Sequence, residues 1–355
     1  MGAVKAISMK IAVDAMGGDD APGPIVEGAV LAAREYGIGI LLVGDSAVIR
    51  KDLDRYDLSG LDVSIVHAAQ KVEMGEAPSV VIRRKRDSSI WVATERVKQG
   101  DAAAVISAGN SGATMATAFF ILGPLQGVER PAIATILPTL TGSAILLDVG
   151  ANVDCKPLHL FQFATMGHEY AEWVLQKSHP KIGLLNIGEE ETKGNEVTKE
   201  AYKILKASPL NFIGNIEGRD VYSGAADVIV CDGFIGNVAL KVSEGLADAL
   251  GKLLKREIAA TLGGRLGYFF LRSAFQRFRR RVDYAEYGGA PLLGVNGISI
   301  ICHGRSSAKA IKNAIRVART QAEGRVNERI QKDIEESMVL YNKVHEEYLQ
   351  SLKRD

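Results

Sequence analysis

A turn of sequence GNSG at residues 109–112 has the residue types of an anion-binding site. It follows an apolar run at 105–107 and precedes a run of small residues, which predicts a strand, a tight turn and a helix beginning near Ser111. Free N–H groups in the first turn of a helix, and the positive end of the helix dipole, favour a bound anion, commonly phosphate. The sequence therefore predicts an anion site in this turn.

Four more polar turns follow predicted strands, and each places an acid or an amide within two residues of a glycine. The five turns span residues 14–19, 108–112, 148–152, 186–189 and 232–237. Glycine and asparagine are ordinary turn residues, so one such turn is weak evidence for a site. Ligands of parallel α/β sheets bind at the carboxyl ends of strands, so five turns in one chain indicate a shared pocket.

Lys193 lies in a turn after a predicted strand and follows the acidic residues 189–191. A lysine there could neutralise phosphate or the oxyanion of a tetrahedral intermediate. The alternative is a surface lysine paired with Glu189 or Glu190, and spacing alone leaves both interpretations open.

Several common chemistries lack their motifs. There is no dinucleotide-binding GxGxxG after a strand and no GxxxxGK[ST] phosphate loop, and GNSG is not the GxSxG elbow of α/β hydrolases. The three cysteines and the histidines at 159, 168 and 303 lack metal-type spacing, and no cysteine has an obvious histidine partner. This inventory favours direct attack by a bound anion on a bound electrophile, with catalysis by positioning and charge stabilisation.

The elements that must position these turns alternate between strands and helices. Strands are predicted at 10–14, 38–43, 63–67, 105–107, 132–137, 144–149, 181–187, 212–217, 226–230 and 298–302. Such alternation predicts an α/β fold with a mostly parallel sheet covered by helices on both faces. Residues 287–297 are predicted as a glycine-rich loop.

One α/β enzyme domain is expected over residues 1–355. Its two sub-lobes are predicted at 1–130 plus 298–355 and at 131–297, because the chain crosses between them near 138–142. A helix at 235–258 repeats apolar residues at helical spacing, which predicts that one face packs on the core. The last helix, 326–352, carries an apolar stripe expected to pack on the body or on a second subunit.

Composition narrows the possible partners. The net charge of +1 provides no global field for nucleic acid. The basic run at 83–86 is either a solvated helix end or a docking patch for an acidic partner. No apolar run has the length of about 18 residues that a membrane span needs. The absence of a signal-peptide pattern, together with three scattered cysteines, predicts a reducing cytoplasm.

The segment 263–283 has the composition of an amphipathic helix at a membrane surface. At helical spacing, one arc contains Phe270, Leu271, Phe275 and Phe278, and Arg265, Arg272, Arg279 and Arg280 lie opposite. Phenylalanine on one face and arginine on the other is typical of interfacial membrane binding. A dimer-packing helix and a surface for an acidic carrier protein remain alternatives.

Taken together, the motifs resemble those of the bacterial phosphate acyltransferases that begin phospholipid synthesis. The match runs from residue 10 to about 319. It rests on AVDAMGGD at 12–19, SAGNSGA at 107–113, RPAI at 130–133, LDVGAN at 147–152, LNIGEE at 185–190, KGN at 193–195, CDGFIGN at 231–237, YGGAPLLG at 287–294 and HG at 303–304.

This resemblance implies that inorganic phosphate attacks fatty acyl-ACP, where ACP is acyl carrier protein, to give acyl phosphate and ACP. It implies a fold like isopropylmalate dehydrogenases and phosphotransacetylases, with a cleft between two lobes, in a homodimer without cofactor or metal. It implies catalytic roles for Lys193 and Asn237. The residues implied to bind substrate are Asp14, Gly17, Gly18, Gly109, Asn110, Ser111, Gly112, Asp148, Asn152, Asn186 and Asp232.

The resemblance also implies a peripheral membrane location, because acyl phosphate is delivered to a membrane-bound glycerol-3-phosphate acyltransferase. The main alternative is a phosphotransacetylase-type enzyme that uses acyl-CoA. An isopropylmalate-type dehydrogenase lacks support from any nucleotide motif. A lipid-surface binding protein without activity would not explain five polar strand ends.

Overall fold

Within residues 9–282 and 284–351, which the computed structural model describes, eleven strands form a single sheet. In chain order they are β1 (Lys10–Asp14), β2 (Gly39–Gly44), β3 (Val63–His67), β4 (Ala104–Ser107), β5 (Ala132–Thr139), β6 (Gly142–Leu147), β7 (Ile182–Leu185), β8 (Phe212–Ile216), β9 (Val228–Val230), β10 (Ala290–Leu293) and β11 (Ile298–Ile301). Their order across the sheet is β3-β2-β1-β4-β11-β10-β5-β6-β9-β7-β8.

Among the described residues the chain forms eleven helices, and most of them pack on the two faces of the sheet. They are α1 (Gly23–Tyr36), α2 (Ser46–Leu53), α3 (Pro78–Arg84), α4 (Ser89–Lys98), α5 (Ser111–Leu122), α6 (Pro157–Trp173), α7 (Glu196–Ala207), α8 (Gly233–Ala260), α9 (Leu262–Val282), α10 (Ala308–Glu323) and α11 (Val326–Ser351). Short 3-10 segments occur at Gly218–Tyr222 and Tyr284–Glu286. None of the described helices combines the length and the apolar composition of a membrane span.

The prediction of a mostly parallel α/β sheet is confirmed. The antiparallel neighbours are β10 with β11, β10 with β5, and β5 with β6. The remaining neighbours are parallel. These reversals mean that β6, β9, β7 and β8 run opposite to β1, β2, β3, β4 and β11. The sheet passes through both predicted sub-lobes, and the lobe boundaries stay a prediction.

The prediction of a glycine-rich loop at 287–297 is partly wrong, because this segment contains strand β10. Gly289 and Gly294 have φ angles of +88° and +85° and flank the four strand residues. Glycines with positive φ are suited to the turns at both ends of this short strand. The strand itself is defined by its pairing with β11 and β5. Local sequence carries no signal for that long-range pairing.

Helix α8 does not pack its apolar face on the core, so that prediction is wrong. Val238, Val242, Leu246, Leu250 and Leu253 are 45–64% exposed in the single chain. Helical spacing shows that a face is apolar but not what covers it. The side chains of Arg265, Arg279 and Arg280, part of the amphipathic pattern on α9, lie outside the described residues, as does residue 283.

Helix α11 packs on the body through its predicted stripe. Val326, Ile330 and Ile334 are buried, and the ring of Tyr341 stacks on Phe161 of α6 at a centroid distance of 6.2 Å. The buried carboxyl of Glu169 on α6 is hydrogen-bonded to Asp333 of α11. Burial, this hydrogen bond and the charges of Asp333 and Glu172 raise the pKa of Glu169 to about 8.

Glu169→Gln is expected to stabilise the protein by at least about 2 kcal/mol at pH 8 and by less than about 1 kcal/mol at pH 5. The folded state binds this proton more tightly than the unfolded chain, so the free energy of unfolding of the wild type falls as the pH rises from 4.5 towards about 8. Thermal melts at both pH values measure the effect. Glu336→Gln, an exposed change on α11, is the control, and equal shifts in both variants would contradict the assignment.

Candidate active site

The ends of β1 and β4 are joined by a buried carboxyl. The Ser107 hydroxyl donates to Asp14 Oδ2 at 2.7 Å, and the N–H of Gly109 donates to Ser107 Oγ at 3.1 Å. Burial raises the pKa of Asp14, while hydrogen bonds from Ser89, Ser107 and the backbone oppose that rise. Asp14 therefore binds the two turns together, as expected for neighbouring parallel strands.

Gly17 and Gly18 allow the turns to approach this closely. A Cβ atom on Gly17 would lie 2.5 Å from Asp14 Oδ2 and 2.8 Å from the Gly109 nitrogen. Gly18 has a φ of +127°, and the next residue, Asp19, donates its N–H to Gly304 O at 2.8 Å. The turns after β1, β4 and β11, at residues 14–19, 107–112 and 303–305, thus form one group, called the first cluster below.

The α5 N-terminus has the geometry expected of an anion site. Asn110 caps the helix, because its Oδ1 accepts from the N–H of Ala113 at 2.9 Å. The N–H groups of Ser111 and Gly112 have no acceptor within the helix. The Ser111 side chain is exposed beside them. These donors and the helix dipole converge on the same point, so this turn can hold an anion.

The side chain of Asn110 has another partner that sequence reasoning missed. Its Nδ2 donates to the carbonyl oxygens of Met74 and Glu76, at 2.8 and 2.9 Å. Glu76 in turn accepts from Lys85 Nζ at 2.7 Å. Asn110 thereby links the anion turn to the segment that precedes α3, and Glu76 links that segment to Lys85, just beyond the basic end of the helix. The contact spans 34 and 36 residues, and no spacing rule predicts it.

The turns after β6 and β9 form a second cluster, residues 148–152 and 231–237. The carboxylate of Asp148 accepts from the N–H groups of Ile133, Ala151 and Asn152 and from Asn152 Nδ2, at 2.7–3.1 Å. Burial raises the pKa of Asp148, and these hydrogen bonds counteract it. Asp148 and Asn152 thus use their polar atoms to shape the turn.

Asp232 and Gly236 attach the start of α8 to this turn. Asp232 Oδ1 accepts from the N–H of Ile235 at 2.8 Å, and the N–H of Gly233 donates to Asn152 O at 2.7 Å. Asn237 follows in the first turn of the helix, exposed beside Gly150. Its amide makes no hydrogen bond to a described residue, so it is available to a ligand.

Lys193 is held by the backbone of its loop while its side chain is exposed. Asn186 Nδ2 donates to Lys193 O at 3.2 Å, and the N–H of Lys193 donates to Glu190 O at 3.0 Å. Its ammonium forms no ion pair with a described residue, so the alternative of a surface pair with Glu189 or Glu190 has no support. Glu189 instead lies 3.1 Å from Arg219.

The thiols are poor nucleophiles. Burial and the nearby Asp148 raise the pKa of Cys155 to about 12, and burial alone does the same for Cys302. The pKa of Cys231 is raised well above its ordinary value by burial and by Asp232 and Asp148. Since the thiolate is the reactive form, a covalent acyl-cysteine is disfavoured.

A metal-capable group among the described residues lies away from both clusters. His168, Glu169 and Glu172 bring their ligand atoms within 4.8 Å of one another on the second half of α6. The two clusters and the Lys193 loop offer amides, hydroxyls, N–H donors and one cation instead. Such a set suits anion binding better than coordination of a metal ion.

The strand order and the helices on both faces of the sheet define an α/β fold class that the chain shares with proteins of known structure. A phosphotransacetylase from Streptococcus pyogenes superposes with a TM-score of 0.62 at 18% identity, covering 89% of this chain and 94% of that one. Residues 9–329 match the family model described as "Fatty acid synthesis protein".

Sequence relatives identify the family. The phosphate acyltransferase of Geobacter sulfurreducens is 56% identical over 333 residues, 94% of this chain and 96% of its own. That of Pelotomaculum thermopropionicum is 57% identical over 327 residues, 92% of this chain and 95% of its own. The chain belongs to the phosphate acyltransferase family.

Proposed function

We propose that this chain transfers a fatty acyl group from acyl-ACP to inorganic phosphate, giving acyl phosphate and ACP, the first step of phospholipid synthesis. The observation that carries the proposal is the α5 turn, where the N–H groups of Ser111 and Gly112 and the Ser111 hydroxyl are available for phosphate. Family membership supports phosphate as the acceptor.

In the proposed reaction a phosphate oxygen attacks the carbonyl carbon of the thioester. A C–O bond forms, negative charge develops on the carbonyl oxygen, and Lys193 or Asn237 stabilises that charge. The C–S bond then breaks, and the thiolate of the carrier's pantetheine arm leaves and takes a proton from solvent. No protein nucleophile is required, in agreement with the raised thiol pKa values.

The remaining predicted site residues receive two kinds of role. Gly109 and Gly112 keep the phosphate turn open, and Asn110 caps its helix. The other residues position the turns, because their polar atoms or their lack of a side chain are used in contacts within the chain. They are Asp14, Gly17, Gly18, Asp148, Asn152, Asn186 and Asp232.

One assay tests this function against its alternatives. The purified chain is incubated with palmitoyl-ACP and phosphate, with acetyl-CoA and phosphate, or with NAD and isopropylmalate, and acyl phosphate is trapped with hydroxylamine. We expect trapped product from palmitoyl-ACP. Product only from acetyl-CoA would support the phosphotransacetylase-type alternative, and NAD reduction would support a dehydrogenase.

An acidic carrier protein fits the basic end of α3. Arg83 and Arg84 are exposed and form no ion pair with a described residue. Pro78, the first residue of the same helix, packs against Gly112 of the phosphate turn, 2.9 Å from the position of an added Cβ. Arg84 lies six steps along the helix from Pro78, roughly 9 Å at 1.5 Å per residue. A carrier docked there would be close enough for its arm to reach the turn.

Arg83→Glu with Arg84→Glu is expected to raise the KM for acyl-ACP at least tenfold, because the reversed charges repel an acidic partner. The KM values for phosphate and for an acyl-pantetheine donor should not change. Arg50→Glu with Lys51→Glu, a matched pair of exposed cations on α2, is the control. Equal effects of both double variants, or a raised KM for phosphate, would contradict docking at α3.

Peripheral membrane binding through α9 is also proposed. Phe270 is 79% exposed and Phe278 61% exposed, and Leu271 is exposed beside them. Phe275 is half-buried, with its ring 5.4 Å from that of Tyr268. Exposed aromatic side chains with nearby arginines suit an anionic lipid surface. This location would bring acyl phosphate to a membrane-bound glycerol-3-phosphate acyltransferase.

Phe270→Glu with Phe278→Glu is expected to lower sedimentation with liposomes containing anionic lipid about tenfold or more, with unchanged acyl transfer in solution. The loss follows from removing two aromatic side chains that would insert into the lipid and from adding two charges that an anionic surface repels. Gln276→Glu on the opposite side of α9 adds a charge without removing an anchor. Unchanged liposome binding of the double variant would end the membrane proposal.

A further inference from the structure

The order of the strands in the sheet separates Lys193 from the phosphate turn of its own chain. The turn at Ser111 follows β4, and the Lys193 loop follows β7, which runs in the opposite direction. Six strand spacings lie between β4 and β7 in the sheet. At about 4.8 Å each they amount to roughly 29 Å, much more than the length of a lysine side chain.

The loop that carries Lys193 is also anchored on its outer side. Asn215 of β8, the edge strand, donates to Glu190 O at 2.9 Å. Arg219, just beyond β8, pairs with Glu189, and Lys206 of α7 pairs with Glu191. These contacts hold the loop towards the edge of the sheet that lies away from β4. The ammonium is exposed and pairs with no described residue, so it is available to another molecule.

The exposed apolar face of α8 indicates that this other molecule is a second copy of the chain. The exposed stripe of Val238, Val242, Leu246, Leu250 and Leu253 begins next to Asn237 and is aliphatic throughout. Over 28 residues the helix is about 42 Å long. A two-fold axis pairs such a stripe with itself, and an aliphatic stripe suits helix packing. The aromatic and arginine residues of α9 differ from it in character.

We propose that Lys193 acts on the phosphate bound at the α5 turn of a second copy, so that each active site is built from two chains. The proposal rests on the proposed function, because it assigns Lys193 and the Ser111 turn to one reaction. Each dimer then has two equivalent sites, each with Ser111 from one chain and with Lys193 and Asn237 from the other, because β9, which precedes Asn237, lies beside β7 and parallel to it.

Dimers made from two differently tagged chains test this arrangement. One chain carries Lys193→Ala and the other carries Ser111→Asp, which places a carboxylate in the anion site at a helix position that tolerates aspartate. Both homodimers should be inactive. In the mixed dimer, one site receives Ser111 and Lys193 intact, so we expect about half of the wild-type acyl phosphate formation. A site within one chain would give no recovery.

A second mixed dimer reverses the expectation. One chain is wild type and its partner carries Ser111→Asp and Lys193→Ala together. If the sites are shared between chains, both sites of this dimer are defective and activity is lost. If each site lies within one chain, the wild-type chain keeps about half of the wild-type activity. Half activity here, or failure of two differently tagged wild-type chains to form a dimer, would overturn the proposal.

Melting temperatures close to the wild type confirm that each variant is folded. A tagged wild-type dimer that forms no acyl phosphate from palmitoyl-ACP would refute the proposed function itself. That outcome is separate from the pattern of activity in the mixed dimers, so the two proposals fail in distinguishable ways.

Discussion

Lys193→Ala is expected to lower kcat for acyl transfer by about 10²- to 10³-fold, the usual cost of removing one donor that stabilises an oxyanion. The side chain is exposed and has no ion-pair partner among the described residues, so its loss should leave the fold intact. Steady-state rates with palmitoyl-ACP and phosphate measure the effect. Asn237→Ala is expected to act in the same direction.

The division of the effect between kcat and KM shows what Lys193 contacts. A loss mainly in kcat indicates contact with the developing oxyanion, whereas a raised KM for phosphate indicates ground-state binding of the nucleophile. Lys199→Ala is a matched control on the following helix, because its exposed pair with Glu196 contributes little. Turnover within threefold of wild type for both Lys193→Ala and Asn237→Ala would refute the assignment.

Gly236→Ala is expected to destabilise the protein by about 3 kcal/mol or more and to abolish activity. The added Cβ would lie 1.9 Å from Asp148 O and 2.9 Å from Cys231 Sγ. The backbone at Asp148 cannot move away from the added Cβ without disturbing the turn that the Asp148 carboxylate stabilises. The start of α8 would have to shift instead, and Asn237 would move with it. Thermal melts and acyl phosphate assays on the same preparation measure both effects.

The matched control for this change is Gly251→Ala on the same helix. An added Cβ there meets no atom within 4 Å, and residue 251 lies opposite the apolar stripe. Alanine in an exposed helix interior should stabilise by up to about 1 kcal/mol. Equal stability of Gly236→Ala and the wild type would show that the close packing at Asp148 is unimportant.

Much of the architecture could be predicted from local sequence. The buried strands, such as β1 and β4, and the amphipathic last helix have patterns that depend only on near neighbours. The GNSG turn predicted a helix start at Ser111, and α5 begins there. The short strand β10 was missed because its formation depends on partners elsewhere in the chain.

For the candidate site, the sequence indicated which residues have suitable chemistry but not where they lie relative to each other. Five polar turns at strand ends predicted one pocket. The structure joins the turns after β1, β4 and β11 through Asp14 and Gly304, and joins those after β6 and β9 through Asp148 and Gly236. It places Lys193 on a third element, held towards the edge of the sheet.

What the sequence determined by itself was residue chemistry and the type of most elements, because these follow from side-chain identity and short-range periodicity. The family rested on the resemblance of its motifs. What only the tertiary structure decided was strand direction, the burial of Asp14 and Asp148, and the exposure of the α8 stripe. These properties depend on hydrogen bonds and packing between residues far apart in the chain. No local pattern encodes which face of a helix finds a partner, and that is why α8, predicted to pack on the core, instead presents its apolar face outside it.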